Sequence, residues 1–99
     1  MKTARFIKNL EGWRGDARLY ELSEPAEYDY IDFEVETGKT KFVAVSAISS
    51  APDTGLPETY IFPCDEDGNI LSWLEMEGSF QGGMDHERAL NNAGFTVIE

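Results

Sequence analysis

The sequence predicts an α+β fold, namely a mainly antiparallel β-sheet of five to seven strands with one short C-terminal α-helix packed on it. Short extended runs recur along most of the chain, and turn-forming glycines, prolines and one Asp-Gly pair separate them. Only one segment, near the end, carries the signals of a helix start and stop. The chain has 99 residues, 41% of them hydrophobic and 12% aromatic, which suffices for a single domain over residues 1–99.

The first half of the chain is expected to supply four strands. Extended segments at 4–9 and 17–22 are joined by a glycine-containing connector, which favours a hairpin. The segment SEPAE is predicted to be a turn, because Pro25 restricts both itself and the preceding residue. An acidic strand over 27–36 follows, with TGK as a tight reversal. The run TKFVAVSAIS is the most β-branched in the chain and is expected to be a central strand.

In the second half, the Pro- and Gly-rich segment 49–58 is predicted to be a loop. TYIFPC and ILSWLEM are expected to pair as strands around DEDGN, where Asp67-Gly68 is a hairpin signal. GSFQGG, residues 78–83, is expected to be a flexible connector.

A short helix is predicted in DHERALNNAG, with Asp85 as N-cap, Gly94 after its C-terminus and Ala89, Leu90 and Ala93 facing inward. It is too short to be stable alone in water and must pack on the sheet. FTVI is expected to form a last strand at an edge.

The charge is strongly negative and uneven. Nineteen acids against eight bases give a net charge of −11. Residues 1–18 carry five bases and two acids, whereas residues 19–99 carry three bases and seventeen acids. Phosphate contacts need Lys and Arg, so this composition argues against direct nucleic-acid binding and against binding to anionic membranes. It favours a partner protein with a basic surface.

The segment EYDYIDFEVE concentrates these acids and is the candidate partner-binding site. Side chains alternate along a strand, so Asp32, Glu34 and Glu36 share one face, whereas Glu27 and Asp29 have the opposite parity. A β-bulge at the adjacent Tyr30 and Ile31 would bring all five acids to one side. The candidate site residues are Glu27, Tyr28, Asp29, Tyr30, Asp32, Glu34 and Glu36. Tyr28 and Tyr30 are included because aromatic residues among acids suit a protein interface.

No motif in the chain identifies a reaction, so we expect no catalytic residues, no metal site and no cofactor. DEDGNI matches only the middle of a calcium loop, since Pro63 and Leu74 occupy the first and last ligand positions. His86 is expected to be a surface residue. The lone Cys64 excludes an internal disulfide, and no local signature joins it to His86. The glycines before the helix lack the spacing of a phosphate-binding loop. The aromatic residues Trp13, Tyr60, Phe62 and Trp73 are expected in the core or on a sheet face and not on a binding platform.

Residues 58–97, ETYIFPCDEDGNILSWLEMEGSFQGGMDHERALNNAGFTV, resemble a block found in small uncharacterised proteins of bacteriophages and prophages. In these proteins a strand ending in FP precedes an acidic DG turn, and a Trp segment, GS(F)xGG, DHxxAL and AGY/F then follow. The resemblance implies a phage or prophage origin and an accessory role, and it brings no activity.

The sequence thus favours a small acidic accessory protein that binds a host protein and is not an enzyme. A sharper hypothesis is that its acids mimic DNA charge. Alternatively, the acidic face only keeps the sheet soluble, and function lies in the loops at 49–58 or 78–83. A small metal-dependent enzyme is a third class. With no long apolar run in the sequence, we expect a cytoplasmic protein of the bacterial host.

Overall fold

The computed structural model describes residues 2–13, 15–29, 37–50, 55–73 and 75–98. These residues form six strands and one helix. The elements are β1 (Thr3–Leu10), β2 (Asp16–Asp29), β3 (Thr37–Ile48), β4 (Glu58–Cys64), β5 (Phe80–Gln81), α1 (His86–Asn92) and β6 (Thr96–Ile98).

All six strands belong to one sheet, in the order β5-β4-β3-β2-β1-β6. Strands β1 to β5 follow one another as an antiparallel meander. The chain then returns through α1, and β6 pairs in parallel with β1 at the opposite edge. This return carries the helix across one face of the sheet. The predicted α+β fold, with its edge strand after the helix, is therefore confirmed.

Strand β2 runs through the segment that was predicted to be a turn. Its pairing with β3 passes from Glu21–Phe42 directly to Ala26–Thr40, so residues 22–25 oppose Lys41 alone. Pro25 sits inside this bulge, where its missing N–H disturbs no ladder hydrogen bond. The prediction of a turn at SEPAE is wrong because neighbouring strands hold both halves of β2 in the same direction.

The edge of β4 also differs from the expectation. Residues 70–76 were predicted to form a strand, but Ile70 makes only an isolated bridge with Cys64. The paired strand is β5, which lies within the expected flexible connector 78–83. Between Ile70 and β5, hydrogen bonds outside a regular strand ladder satisfy the backbone groups of Ile61. Its carbonyl oxygen accepts from Met76 N at 2.7 Å, and its N–H donates to Ser79 Oγ at 2.9 Å. The predicted reversal TGK is wrong as well, because Thr37–Lys39 lies in β3.

The helix has the predicted caps. Asp85 Oδ1 accepts a hydrogen bond from Arg88 N at 3.0 Å, and Gly94 follows the C-cap with φ of 95°. Ala89 and Leu90 are fully buried, and Ala93 packs against the same cluster. The short helix is thus stabilised by packing on the sheet.

The two faces of the sheet are filled unequally. On the face that α1 covers, which we call the helix face, the buried residues are Ala4, Tyr20, Leu22, Val43, Val45, Ile61, Ala89, Leu90 and Phe95. The other face, which we call the open face, has a small buried cluster of Leu19, Ala44 and Cys64. Leu10, Trp13, Phe42 and Ile70 pack around that cluster while remaining partly accessible.

Among the described residues, no helix is long and apolar enough to cross a membrane.

Candidate binding surfaces

Four aromatic side chains meet on the open face, and we call this group the aromatic cluster. Its members are Trp13, Tyr60, Phe62 and Trp73. The centroid of the Trp73 ring lies 5.7 Å from that of Trp13 and 5.5 Å from that of Phe62. The Phe62 ring centroid lies 6.0 Å from those of Trp13 and Tyr60. These separations are typical of favourable aromatic pairs.

Strand alternation and two loops bring the cluster together. Tyr60 and Phe62 flank the buried Ile61 on β4, so both point to the open face. Trp13 comes from the connector between β1 and β2, and Trp73 follows the turn after β4. That turn lies against β1, because a Cβ at Gly68 would stand 2.6 Å from Leu10 Cδ2. The close approach of turn and strand places the two indole rings side by side.

The aromatic cluster is accessible to a partner. Trp73 has 68% of its surface exposed, the largest fraction among the large hydrophobic residues that the structure describes. Trp13, Tyr60 and Phe62 are half-buried. All four residues were expected in the core or on a sheet face; Tyr60 and Phe62 lie on a sheet face, whereas Trp73 is not part of the core. The placement of Trp73 in an acidic stretch without lysine or arginine is the sequence signal for this surface.

The surroundings of the aromatic cluster are acidic. Residues 58–77, which supply three of its members, contain six acids and no lysine or arginine. Four of these acids are exposed, namely Glu66, Asp67, Glu75 and Glu77, and Glu77 lies toward the helix face. The negative charge in this stretch would attract a cationic group toward the exposed rings.

The acidic turn after β4 is built around Asp65. Its Oδ1 accepts hydrogen bonds from Asp67 N and Asn69 N, both at 2.9 Å. Its Oδ2 accepts from Asn69 Nδ2 at 3.0 Å. The hydrogen bonds from Asn69 are the main cause that lowers the pKa of Asp65. This carboxylate therefore serves the turn predicted at DEDGN, although the strand expected after it is not formed. Within the described ranges, no group of three or more His, Cys, Asp or Glu residues is arranged to hold a metal ion.

The structure describes only part of the candidate site in the acidic segment. Glu27 is exposed, and its Oε1 lies 4.0 Å from Lys39 Nζ. Tyr28 is 7% exposed and packs against Gly38 of β3, so its selection as a surface residue is wrong. The two adjacent residues point to opposite faces of β2 because side chains alternate. Asp29 ends β2. The other candidates, Tyr30, Asp32, Glu34 and Glu36, and the bulge expected there lie outside the described residues.

His86 is buried, and its prediction as a surface residue is wrong. Its Nε2 lies 2.8 Å from the Asp16 carbonyl oxygen and 3.9 Å from Asp16 Oδ2. The ring thus joins the start of α1 to the start of β2. This is a structural contact at the helix face.

Cys64 lies on the other side of the sheet, in the small buried cluster of the open face. Burial raises the pKa of its thiol to about 12, with Asp65 adding to the shift. A thiol with so high a pKa is a poor nucleophile near neutral pH. Since the sheet separates Cys64 from His86, the two do not form a nucleophile–base pair.

The connector 78–83 is tied to neighbouring elements. Gly82 N donates to the Pro57 carbonyl oxygen at 2.7 Å, and Thr59 Oγ1 donates to the Gly83 carbonyl oxygen at 2.9 Å. The guanidinium carbon of Arg88 lies 4.6 Å from the centroid of the Phe80 ring. The segment therefore completes the edge of the sheet, and the flexible connector expected there is not observed.

Comparison of the chain with protein-family models, with curated proteins and with solved structures finds no match.

Proposed function

We propose that the protein is an acidic, non-enzymatic binding module whose aromatic cluster docks an arginine- or lysine-rich segment of a partner protein. The observation that carries the proposal is a group of packed aromatic rings whose outermost member, Trp73, is 68% accessible, in a stretch that exposes Glu66, Asp67 and Glu75 and contains no lysine or arginine. A partner bound here would cover apolar area and neutralise carboxylates at the same time.

The aromatic rings and the acidic residues around them favour the same partner, a segment rich in arginine or lysine. Aromatic residues are enriched in protein interfaces because they bury a large apolar area with few rotatable bonds. A guanidinium or ammonium over an indole ring gains a cation–π attraction of about 0.5–2 kcal/mol. The surrounding acids raise the local concentration of cations and speed the encounter. An acidic partner, or the phosphates of a nucleic acid, would be repelled.

The resemblance of residues 58–97 to phage and prophage proteins adds an expectation about the partner. It favours a protein of the bacterial host, bound in the cytoplasm. DNA mimicry by the acidic segment is the competing form of the proposal. It rests on Glu27, Asp29, Asp32, Glu34 and Glu36, of which the last three lie outside the described residues.

Intrinsic fluorescence tests the proposal directly, since both tryptophans of the chain belong to the aromatic cluster. Titration with a short arginine-rich peptide should change their emission in a saturable way, and a glutamate-rich peptide of equal length should not. Trp73→Ala should weaken binding of the labelled arginine-rich peptide roughly tenfold, as loss of a good cation–π contact would. Fluorescence anisotropy of the peptide gives this affinity without relying on the remaining indole.

Phe6→Ala is the matched control, because Phe6 is an aromatic residue 44% exposed that packs on Tyr20 of the helix face. Its affinity should equal that of the unchanged protein. Equal weakening by both substitutions would overturn the assignment to the aromatic cluster. If neutralising the acidic segment abolishes binding while Trp73→Ala leaves it intact, the interface moves to Glu27, Asp29, Asp32, Glu34 and Glu36.

A further inference from the structure

A cavity of about 370 Å³ opens on the helix face, on the opposite side of the sheet from the aromatic cluster. It lies between the C-terminal half of α1, the bulge of β2 and the segment around Met76. Its volume falls in the lower part of the range of small-molecule sites, about 300–1,000 Å³. The cavity is therefore large enough for a small ligand and too small for a folded partner.

The floor of the cavity is apolar and already dehydrated. Leu22, Val43, Ile61, Leu90 and Phe95 line it, and each is at most 6% exposed. These residues belong to the main hydrophobic core, so their positions are fixed by packing against α1 and β6. An apolar ligand would contact a preformed wall, and the apolar surface removed from water would be mainly that of the ligand itself.

The rim of the cavity carries two ammonium groups. Lys2 Nζ lies 5.2 Å from the centroid of the Phe95 ring, which directs one cation over the apolar floor. Lys39, on β3, lines the cavity beside Glu27. Their side chains are 67% and 69% exposed and their charged atoms are 4.0 Å apart, so this pair is weak and can exchange partners. Two lysines at one opening are notable in a chain with eight bases.

We propose that this cavity binds a small amphipathic carboxylate, with an alkyl or aryl body on the apolar floor and its carboxylate between Lys2 and Lys39. Lys39 exchanges its exposed contact with Glu27 for the ligand. The second acid of the rim, Glu77, disfavours ligands with more than one negative charge. The site is independent of the aromatic cluster, because the sheet separates the two.

Isothermal titration with dodecanoate tests the proposal, with three comparison ligands that separate body from head group. Dodecanoate should bind with one-to-one stoichiometry. Dodecanol should bind more weakly because it keeps the body and loses the charge, and acetate, which keeps only the head, should not bind. Dodecylammonium should be the weakest of the long-chain ligands. Tighter binding of dodecylammonium than of dodecanoate would overturn the head-group assignment.

Variants locate the binding in this cavity. Lys39→Gln should weaken dodecanoate roughly threefold to tenfold, as expected for loss of one partly exposed charged contact, and should leave dodecanol unchanged. Lys8→Gln, which removes an exposed lysine of β1 that does not line the cavity, should leave both affinities unchanged. Ala26→Leu, which fills part of the cavity, should weaken both long-chain ligands. Equal effects of Lys39→Gln and Lys8→Gln on dodecanoate would overturn the site.

Discussion

The two faces of the sheet use their hydrophobic residues differently. On the helix face, aliphatic side chains from four strands and α1 bury one another almost completely. On the open face, the fully buried residues are small or few, and larger aromatic rings lie half-exposed above them. The helix face thus supplies most of the buried core, whereas the aromatic rings of the open face stay accessible. The number of hydrophobic residues in the sequence does not show which of the two faces each residue belongs to.

A change on the helix face should have the larger effect on stability. Leu90 is 1% exposed and packs in the main core, so Leu90→Ala should cost about 2–5 kcal/mol in the free energy of unfolding. Trp73→Ala removes a larger side chain from the open face, yet it should cost about 1 kcal/mol or less because most of that ring already contacts water. Urea denaturation followed by circular dichroism measures both.

Asn91→Ala changes an exposed residue of the same helix. It alters helix propensity without removing core packing, so the urea midpoint of unfolding should stay nearly unchanged. Should Trp73→Ala destabilise the protein as much as Leu90→Ala, the contrast between the faces would be wrong. The aromatic cluster would then be a second core.

Two glycines near the edge of β4 test how tightly the helix is held. Gly78 has φ of 108°, and a Cβ there would collide with the Ala89 carbonyl oxygen and lie 2.9 Å from Ala93 Cβ and from Ile61 Cδ1. Gly82 has φ of 95°, with open space around it. Both substitutions to alanine strain the backbone, by about 1–3 kcal/mol, and only Gly78→Ala must also push the helix away from the sheet.

Gly78→Ala should therefore lower the thermal midpoint clearly more than Gly82→Ala, as differential scanning calorimetry would show. Equal losses would mean that backbone strain accounts for the whole effect and that the segment near Gly78 can move away from α1 at little cost.

Local signals in the sequence predicted the elements that depend on local chemistry. The β-branched run of β3 and the caps of α1 were located correctly, because residue preferences decide them directly. The path of the chain through Pro25 was predicted wrongly, since the residues SEPAE fit either a reversal or a β-bulge. Pairing with β1 and β3 decides between the two, and those contacts lie far away in sequence. The edge partner of β4 was missed for a related reason, because side-chain and loop hydrogen bonds replace part of the ladder there.

The binding surfaces were predicted less well than the fold. Tyr28 was selected as a surface residue and is buried, whereas Trp73 was expected in the core or on a sheet face and is exposed. Aromatic side chains have the same hydrophobicity in a core and on a platform. What differs is whether another element covers them, and α1 covers only one face. The lysine rim of the cavity arises from residues 37 positions apart in the chain, Lys2 and Lys39, and carries no local signal.

The smallest expected effect concerns pH and the acidic turn beside the open face. The pKa of Asp65 is lowered by its hydrogen bonds with Asn69, so the ionised carboxylate stabilises the turn. A lowered pKa in the folded state means that this contribution is present above the ordinary pKa of the group and is lost as the pH falls through the folded value. The loss thus belongs to the acidic range below pH ~4, where the Asn69 amide proton should shift in the NMR spectrum as its acceptor is protonated.

Asp65→Asn keeps an acceptor oxygen without a charge and should remove the shift. Asp67→Asn, in which the N–H that donates to Asp65 is unchanged, should keep it. A shift that persists in Asp65→Asn would assign the acid transition to another carboxylate.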